Sequence, residues 1–472
     1  MEFHASLTMS PITITLILSY VVSSFTLAGS LDAPICYKKH ALNEKTTRFT
    51  RTVCEEPANA KKSEIEVLKS DFSLSALIVE RQIYIGTPSK TTGASGRISF
   101  PSQNISDIYF TLKSGQGRFF EVPSGYQKPT RDDSGLLLNT TIVVAADEAV
   151  NVYAYQGCAH AYGKQASAFR VKNIKNLGTD YWVLTYFRSY SHLGIVAVKD
   201  NTSLSISFNH SDGGSEMNTQ DILLNKYDTY YLVLPFDATG THITSDEKIS
   251  VVAGVRSIIL PKGSKNTEPF CETLEPVSDW GKSFSTVHFL GPQKGNDYII
   301  KFISAENNNT VNWKQGAYQN STILQQGESQ TLLVPANYTN VLEINASKDI
   351  LLAQFATKGN PPITNPAMTL IPPHENGTEE EIVFPVFDLT YKQNATNYLT
   401  VWMPASAKRS DLSLDGMRYV NWREFAEDGS GWKILQTALK EGSHVLMINK
   451  GLKVRAIVFA AEHLRSVAYP VV

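Results

Sequence analysis

The stretch ITSDEKISVVAGV at residues 243–255 recurs three more times along the chain, in pattern rather than in identity. The related segments are VAADEAVNVYAYQ (144–156), INASKDILLAQFA (344–356) and INKGLKVRAIVFA (448–460), and successive starts lie 99, 101 and 104 residues apart. Each begins with an apolar residue, passes through a short polar turn and ends in an apolar run. A short apolar run bounded by turn residues is typical of a strand buried in a sandwich core. The pattern predicts a β-stranded repeat of about 100 residues.

Two further pairs of segments repeat at nearly the same spacing. DYIIKFISAENNNTVNWKQG (297–316) resembles NYLTVWMPASAKRSDLSLDG (397–416), and GTDYWVLTYF (178–187) resembles GKSFSTVHFL (281–290). Because these pairs lie outside the first set, the repeat extends over the whole unit rather than over one strand.

Short strands are also indicated between the repeated segments. TSLSISF (202–208) alternates and places Leu204, Ile206 and Phe208 on one face, and Tyr230–Leu234 is a short aromatic and β-branched run. The best helix candidate is Trp432–Glu441, which could equally form a strand.

These patterns predict an all-β protein made of tandem sandwich-like repeats of about 100 residues. An irregular β-propeller is the alternative, although a four-stranded blade needs about half that length. The expected units are residues 71–170, 171–270, 271–375 and 376–472, preceded by a charged leader or cap at residues 31–70.

The N-terminus reads as a secretory signal. Ile12–Leu27 is apolar and uncharged, and Ala28-Gly29-Ser30 supplies small residues for cleavage after Ser30. Residues 1–30 are therefore expected to be removed, although a buried core strand or helix is the alternative. No later stretch is long and apolar enough to cross a bilayer.

Ten Asn-X-Ser/Thr acceptor sites agree with export and predict an extracellular glycoprotein. The candidate glycosylation sites are Asn104, Asn139, Asn201, Asn209, Asn308, Asn320, Asn337, Asn345, Asn376 and Asn394.

The four cysteines are Cys36, Cys54, Cys158 and Cys271. An even, sparse set fits two disulfides in an oxidising compartment, with Cys36–Cys54 closing a short loop and Cys158–Cys271 as a long-range pair. Buried free thiols are the alternative.

Charge and motifs exclude several classes of function. Charged residues make up 19% of the chain and the net charge is -2, so no basic field indicates nucleic acid or an anionic membrane as partner. Catalytic signatures and zinc-type cysteine spacings are absent, and no cofactor or metal is expected. His160 stands without a histidine partner nearby. Asp132 and Asp133, and the set Asp212, Glu216 and Asp221, suggest calcium but fit ordinary polar turns better.

The chain resembles the N-terminal domain of the IgG Fc-binding protein, a module of secreted mucus-type glycoproteins. The likeness lies in Asn176–Phe187 (NLGTDYWVLTYF), Asp237–Gly254 (DATGTHITSDEKISVVAG), Phe270–Phe284 (FCETLEPVSDWGKSF), Leu412–Gly416 (LSLDG) and Tyr469-Pro470. The family usually has a second cysteine shortly before the one that matches Cys271, and this chain has none there. By that resemblance Cys271 pairs farther away, with Cys158, or stays free.

The resemblance implies a secreted, non-catalytic module that binds glycoproteins such as immunoglobulin Fc or mucins. Two other classes stay open: a structural matrix or adhesion protein whose repeats act as spacers, and a glycan-processing enzyme. The enzyme would need a pair of facing carboxylates. Trp280, in the Trp-Gly motif, is expected to fill the core of its unit while Gly281 permits a tight turn.

Overall fold

A computed structural model describes residues 19–21, 64–68, 71–73 and 78–471. The last range has gaps at 89, 102, 124–133, 138–140, 161–162, 187–189, 209–218, 259, 261–267, 290–296, 337–340, 358–364, 379–380, 390–395, 419, 427–430, 450 and 463–464. The described residues form strands, turns and three short 3₁₀ segments, which confirms the predicted all-β class. Among them, no helix has the length and apolar character needed to cross a membrane.

The strands fall into four units. The first three strands are β1 (Ser19–Val21), β2 (Glu64–Leu68) and β3 (Asp71–Ser73), with β1 parallel to β3. Unit 1 combines β2 with β4 (Ile78–Gly86), β5 (Ala94–Ser99), β6 (Ile108–Leu112), β7 (Gly117–Glu121), β8 (Gly135–Leu137), β9 (Ile142–Ala146), β10 (Asn151–His160) and β11 (Gly163–Val171). Unit 2 contains β12 (Gly178–Trp182), β13 (Ser191–Ala197), β14 (Thr202–Ser207), β15 (Thr219–Leu224), β16 (Thr229–Leu234), β17 (His242–Ile258) and β18 (Glu268–Thr273).

Unit 3 contains β19 (Gly281–Thr286), β20 (Tyr298–Ser304), β21 (Asn309–Gln315), β22 (Tyr318–Leu324), β23 (Ser329–Val334), β24 (Leu342–Ala356) and β25 (Ala367–Leu370). Unit 4 contains β26 (Ile382–Val386), β27 (Thr396–Pro404), β28 (Leu412–Leu414), β29 (Arg423–Ala426), β30 (Trp432–Leu439), β31 (Gly442–Ile448), β32 (Arg455–Glu462) and β33 (Arg465–Pro470). The ambiguous segment beginning at Trp432 is thus a strand. The 3₁₀ segments are Ile174–Asn176, Val277–Asp279 and Arg409–Asp411.

The four units share most of one strand connectivity; unit 4 differs because β29, which has the chain position of β22, pairs with β30 rather than with β28. In unit 3 the first half of β24 lies between β21 and β19, and its second half lies between β20 and β25. The long strand therefore belongs to both sheets of one sandwich. In unit 2, β17 does the same, whereas units 1 and 4 divide this element into β9 and β10 and into β31 and β32. The repeated segments of the sequence are this shared element.

The registers of units 2 and 3 agree in detail. Gly178 lies opposite Ile249 and Gly281 lies opposite Ile350, and in each unit the pairing then shifts at the next step. A shared bulge shows that the two units repeat the same backbone path as well as the same strand order.

The repeated segments are continuously apolar because the second sheet of each unit is buried on both faces. In β24, Ile350 and Leu352 pack inside unit 3, while the alternate residues Leu351, Ala353 and Phe355 pack into the core of unit 2. Each of the four core clusters joins the interior of one unit to a sheet of its neighbour, and the fourth joins unit 4 to unit 1. The sandwich units therefore form a closed ring.

The last strand of each unit lies at the centre of this ring. β11 packs beside β18, β18 beside β25, β25 beside β33, and β33 beside β11. The side chains described in these strands are almost all buried. Ring closure is a feature shared with propellers, but each unit is a two-sheet sandwich rather than a single-sheet blade.

Candidate functional site

The described part of the first motif of the resemblance, residues 176–186, forms the entry into unit 2. The Tyr181 hydroxyl accepts a hydrogen bond from the Gly178 amide at 2.9 Å and donates to the Ile249 carbonyl at 2.8 Å. Trp182 stacks on His242, with ring centroids 4.1 Å apart. A side chain at Gly327, where φ is +77°, would collide with the Trp182 ring. These contacts give the motif a role in joining strands and units.

The second motif contains a buried ion pair between units 2 and 3. Lys301 of β20 reaches across the boundary, and its Nζ lies 2.9 Å from the Asp237 Oδ2 and 2.8 Å from the Thr185 carbonyl oxygen. The other carboxylate oxygen, Oδ1, accepts from the Thr185 and Thr239 hydroxyls at 2.7 and 2.6 Å. Thr239 Oγ1 also lies 2.7 Å from the Lys301 Nζ. The Asp-X-Thr sequence therefore encloses the lysine of the next unit.

The two charges perturb each other's protonation. Burial acts to raise the pKa of Asp237, but the charge and hydrogen bonds of Lys301 and the two threonine hydroxyls outweigh it and hold the pKa below its usual value. Burial lowers the pKa of Lys301, and Asp237 opposes that shift only in part. The carboxylate is therefore ionised at neutral pH and partners a nearly inaccessible lysine.

The remaining motifs also occupy structural positions. Trp280 is buried in the core of unit 2, as the sequence predicts, and its indole N–H donates to the Glu275 carbonyl at 3.0 Å. A side chain at Gly281 would meet Pro373. In unit 4, Asp415 accepts from the Val445 amide, and Tyr469 donates to the Pro385 carbonyl at 2.8 Å. These motifs therefore form the structural framework of the units, and the candidate binding surface consists of other residues.

The ring axis holds a carboxylate that touches all four units. Glu268 of β18 is 0% exposed. Its Oε2 accepts from the Ala166 amide of unit 1 at 3.2 Å, and its Oε1 accepts from Asn365 Nδ2 at 3.1 Å and from the Ser466 amide at 3.2 Å. Asn365 precedes β25 and Ser466 lies in β33. We call this arrangement the axial carboxylate.

A surface cleft lies where the entry turns of units 2 and 3 approach each other. It encloses about 440 Å³ and its lining includes Asp180 and Asp279. Asp180 Oδ1 lies 2.8 Å from His242 Nε2, and Asp279 Oδ2 lies 3.0 Å from the Lys172 ammonium. Both carboxylates thus have side-chain partners.

The outer edge of unit 3 at β23 differs from the cleft because it carries an exposed apolar side chain. Leu333 in β23 is 62% exposed; Tyr318 and Ile323, which are 52% and 60% exposed, lie in β22, at the other end of the order β22-β21-β24-β20-β23. On its inner side β23 pairs with β20. Within the described ranges, no strand pairs with its outer side. This edge is our candidate binding surface.

The predicted glycan acceptors that the structure describes are all exposed. They are Asn104, Asn201, Asn308, Asn320, Asn345 and Asn376. Asn139, Asn209, Asn337 and Asn394 lie outside the described residues. Glycan occupancy stays a prediction at all ten positions.

The cysteine and calcium predictions are only partly within the described residues. Cys271 is buried in β18, and Cys158 lies in β10 opposite Val79 and Gln165, whereas Cys36 and Cys54 fall outside the described ranges. The predicted disulfides stay predictions. Asp132, Asp133, Asp212 and Glu216 are likewise not described; Asp221 lies in β15 and His160 in β10. The described residues contain no group of three potential metal ligands.

Sequence reasoning missed Lys301, Glu268 and the open edge. Lys301 interrupts the apolar run YIIKFIS, and a charge inside a strand predicted to be buried was a usable signal for a paired ion. Glu268 and β23 gave no such signal, because their roles depend on which units meet in space.

Comparison with known proteins identifies a family. No curated protein matches the sequence. One solved structure, described as "Ca2+-stabilized adhesin helps an Antarctic bacterium reach out and bind ice", aligns at 8% identity over 88% of this chain and 99% of that chain. Its TM-score is 0.12, too low to support an argument about fold or function. The model of the IgGFc binding protein family matches residues 167–457, more than half of the 472 residues. The chain therefore belongs to the IgGFc binding protein family.

Proposed function

We propose that the mature chain is a secreted, glycosylated module that binds other glycoproteins and does not catalyse a reaction. The observation that carries the proposal is the family match over residues 167–457, which spans units 2 and 3 and most of unit 4. Immunoglobulin Fc or mucin-like chains are the partners that the family name and the resemblance suggest. This inference is by analogy, since a shared fold accommodates many functions.

The chemistry of the described residues is consistent with recognition. Asp237 and Lys301 satisfy each other inside an interface between units, and Glu268 accepts three hydrogen bonds on the ring axis. Groups with such partners hold units together and do not reach a substrate. The cleft carboxylates Asp180 and Asp279 are also paired with cationic or imidazole side chains.

Export belongs to the same proposal. Cleavage after Ser30 would remove β1 and leave a mature chain that begins with the charged leader at residues 31–70, whose last described strand, β2, pairs with β9 of unit 1. We further propose the pairs Cys36–Cys54 and Cys158–Cys271, and boundaries between the four units at about residues 170, 270 and 375.

The test is retention of glycoproteins by purified residues 31–472. We expect immobilised protein to retain immunoglobulin G or mucins above the level of an inert immobilised glycoprotein, with bound material identified by mass spectrometry. Retention of mucins alone would remove the Fc assignment and leave glycoprotein binding intact. Retention of neither class would contradict the proposal and favour the spacer function.

Glycan occupancy gives a separate prediction. Because the six described acceptor asparagines are exposed, we expect the secreted protein to shift to lower mass when N-glycans are removed enzymatically. Mapping of deamidated asparagines should recover several of these positions. A secreted chain whose mass is unchanged by the enzyme would contradict the prediction.

A further inference from the structure

Among the strands that the structure describes, none pairs with the outer side of β23, whereas two of its counterparts are covered. In unit 2, β16 occupies the same place in the sheet, and β8 pairs with its outer side. In unit 4, β30 occupies that place and β29 covers it. Both covering strands are short, extended and antiparallel to the edge. The fold itself therefore shows what kind of element this position accepts.

The counterpart residues can be aligned through the sheet register. Leu234 of β16 pairs with the first residue of β13, and Val334 of β23 pairs with the first residue of β20. The sequences TYYLVL and SQTLLV are consequently equivalent, with Val233 matching Leu333. In unit 2 the Val233 amide donates to the Ser134 hydroxyl, which directly precedes β8.

The backbone of β23 presents hydrogen-bonding groups to its open side. The Ser304 amide donates to the Glu328 carbonyl at 3.1 Å, so in this antiparallel ladder the even-numbered residues face β20. Ser329, Thr331 and Leu333 therefore direct their amides and carbonyls outward. At present the Thr331 carbonyl accepts from the Gln330 side chain at 3.0 Å, a local bond that an incoming strand would replace.

The composition of this edge lacks the usual protection against pairing. Proteins commonly place charged residues or proline on exposed edge strands. Ser329–Val334 (SQTLLV) contains neither, and it carries no glycosylation acceptor. The nearest acceptors along the sequence are Asn320, before the strand, and Asn337, after it.

We infer that the open edge of β23 binds an extended segment of a partner glycoprotein as an added antiparallel strand. The segment would have the small-apolar-apolar pattern that Gly135–Leu137 presents to β16. Backbone pairing supplies the general affinity and contact with Leu333 supplies preference for an apolar side chain, as in other cases of strand addition. This inference deepens the proposed function and names its contact surface.

The probe is a fluorescent peptide with the sequence of residues 133–138, DSGLLL, added to the complete mature chain. We expect saturable binding by fluorescence anisotropy, weakened at least tenfold by Leu333→Lys. Leu223→Lys is the matched control, because Leu223 is 63% exposed on β15, an edge strand of unit 2. Leu223→Lys should leave binding of the peptide unchanged. A scrambled peptide added to the wild-type protein should give no signal.

A backbone variant separates strand pairing from simple apolar contact. Thr331→Pro removes an outward amide while sparing the ladder to β20, and Thr331→Ala keeps that amide. We expect the proline variant to lose peptide binding and the alanine variant to retain it, with melting temperatures measured for both. Equal binding by the two variants, or no binding by the wild type, would overturn the inference. Self-association that Leu333→Lys abolishes would also overturn it, because the occupant would then be a second copy.

The glycoprotein pull-down distinguishes failure of this inference from failure of the proposed function. If wild-type protein retains glycoproteins and Leu333→Lys retains them equally, β23 is not the contact surface but the module still binds. If the wild type binds the peptide but retains no glycoprotein, the edge accepts strands while the proposed function is wrong.

Discussion

Asp237→Ala is expected to lower the free energy of unfolding by about 3–5 kcal/mol, because it leaves a buried lysine without its counter-ion. Lys301 is 5% exposed, and its remaining partners would be the Thr185 carbonyl and the Thr239 hydroxyl. Since the cores are shared between neighbouring units, we expect one cooperative transition. The measurement is the urea midpoint and slope of purified protein.

An exposed ion pair in unit 3, the unit that contains Lys301, provides the matched control. Lys348 and Glu306 lie 3.2 Å apart with both side chains substantially exposed, and Glu306→Ala should cost no more than about 1 kcal/mol. The double variant Asp237→Ala with Lys301→Met should recover part of the lost stability, because it also removes the stranded charge. Equal losses for Asp237→Ala and Glu306→Ala would show that the buried pair does not stabilise the interface.

The buried pair of Asp237 and Lys301 should also make the stability of the protein sensitive to acid. The folded-state pKa of Asp237 lies below its unfolded value, so its contribution is present above the unfolded pKa, near 3.8, and is lost as pH falls through the folded-state pKa. Stability measured from neutral to acid pH should therefore fall less steeply in Asp237→Ala than in the wild type.

The sequence predicted local structure well and spatial assembly poorly, for physical reasons. The continuously apolar segment ILLAQFA indicated a buried strand, and β24 is buried on alternating sides by two different units. Nothing in that segment specifies that unit 4 returns to unit 1, because ring closure depends on contacts such as that of Tyr84 with Ser443, 359 residues apart. Trp432–Glu441 was ambiguous because so short a segment of mixed apolar and polar residues fits either a helix or a strand.

The candidate surface shows the same limit. SQTLLV reads as an ordinary strand, and its significance comes from comparison with β16 and β30, whose outer sides are covered. The motifs of the resemblance pointed to Asp237 and Trp280, which are structural. A short motif marks positions where the structure requires a particular side chain. In this fold such positions include the interfaces between units.

Removal of the axial carboxylate should lower the free energy of unfolding by an amount similar to that expected for Asp237→Ala. In Glu268→Ala, two backbone amides and the Asn365 side chain would lose their acceptor in a fully buried site. Each unsatisfied donor costs about 1–3 kcal/mol, so we expect a loss of at least about 3 kcal/mol, measured by urea denaturation. Glu247→Ala, which breaks an exposed pair with Lys199, should cost no more than about 1 kcal/mol.

The variant Glu268→Gln separates the hydrogen bonds accepted by Oε1 from the one accepted by Oε2. The glutamine oxygen can replace Oε1 and accept from Asn365 and Ser466, whereas its amide nitrogen would face the Ala166 amide, which is itself a donor. Hydrogen exchange should therefore accelerate at Ala166 in both variants but at Ser466 in the alanine variant alone. If the two amides exchange as slowly in Glu268→Ala as in the wild type, the axial carboxylate does not join the four units, and closure of the ring must rest on apolar packing between β11 and β33.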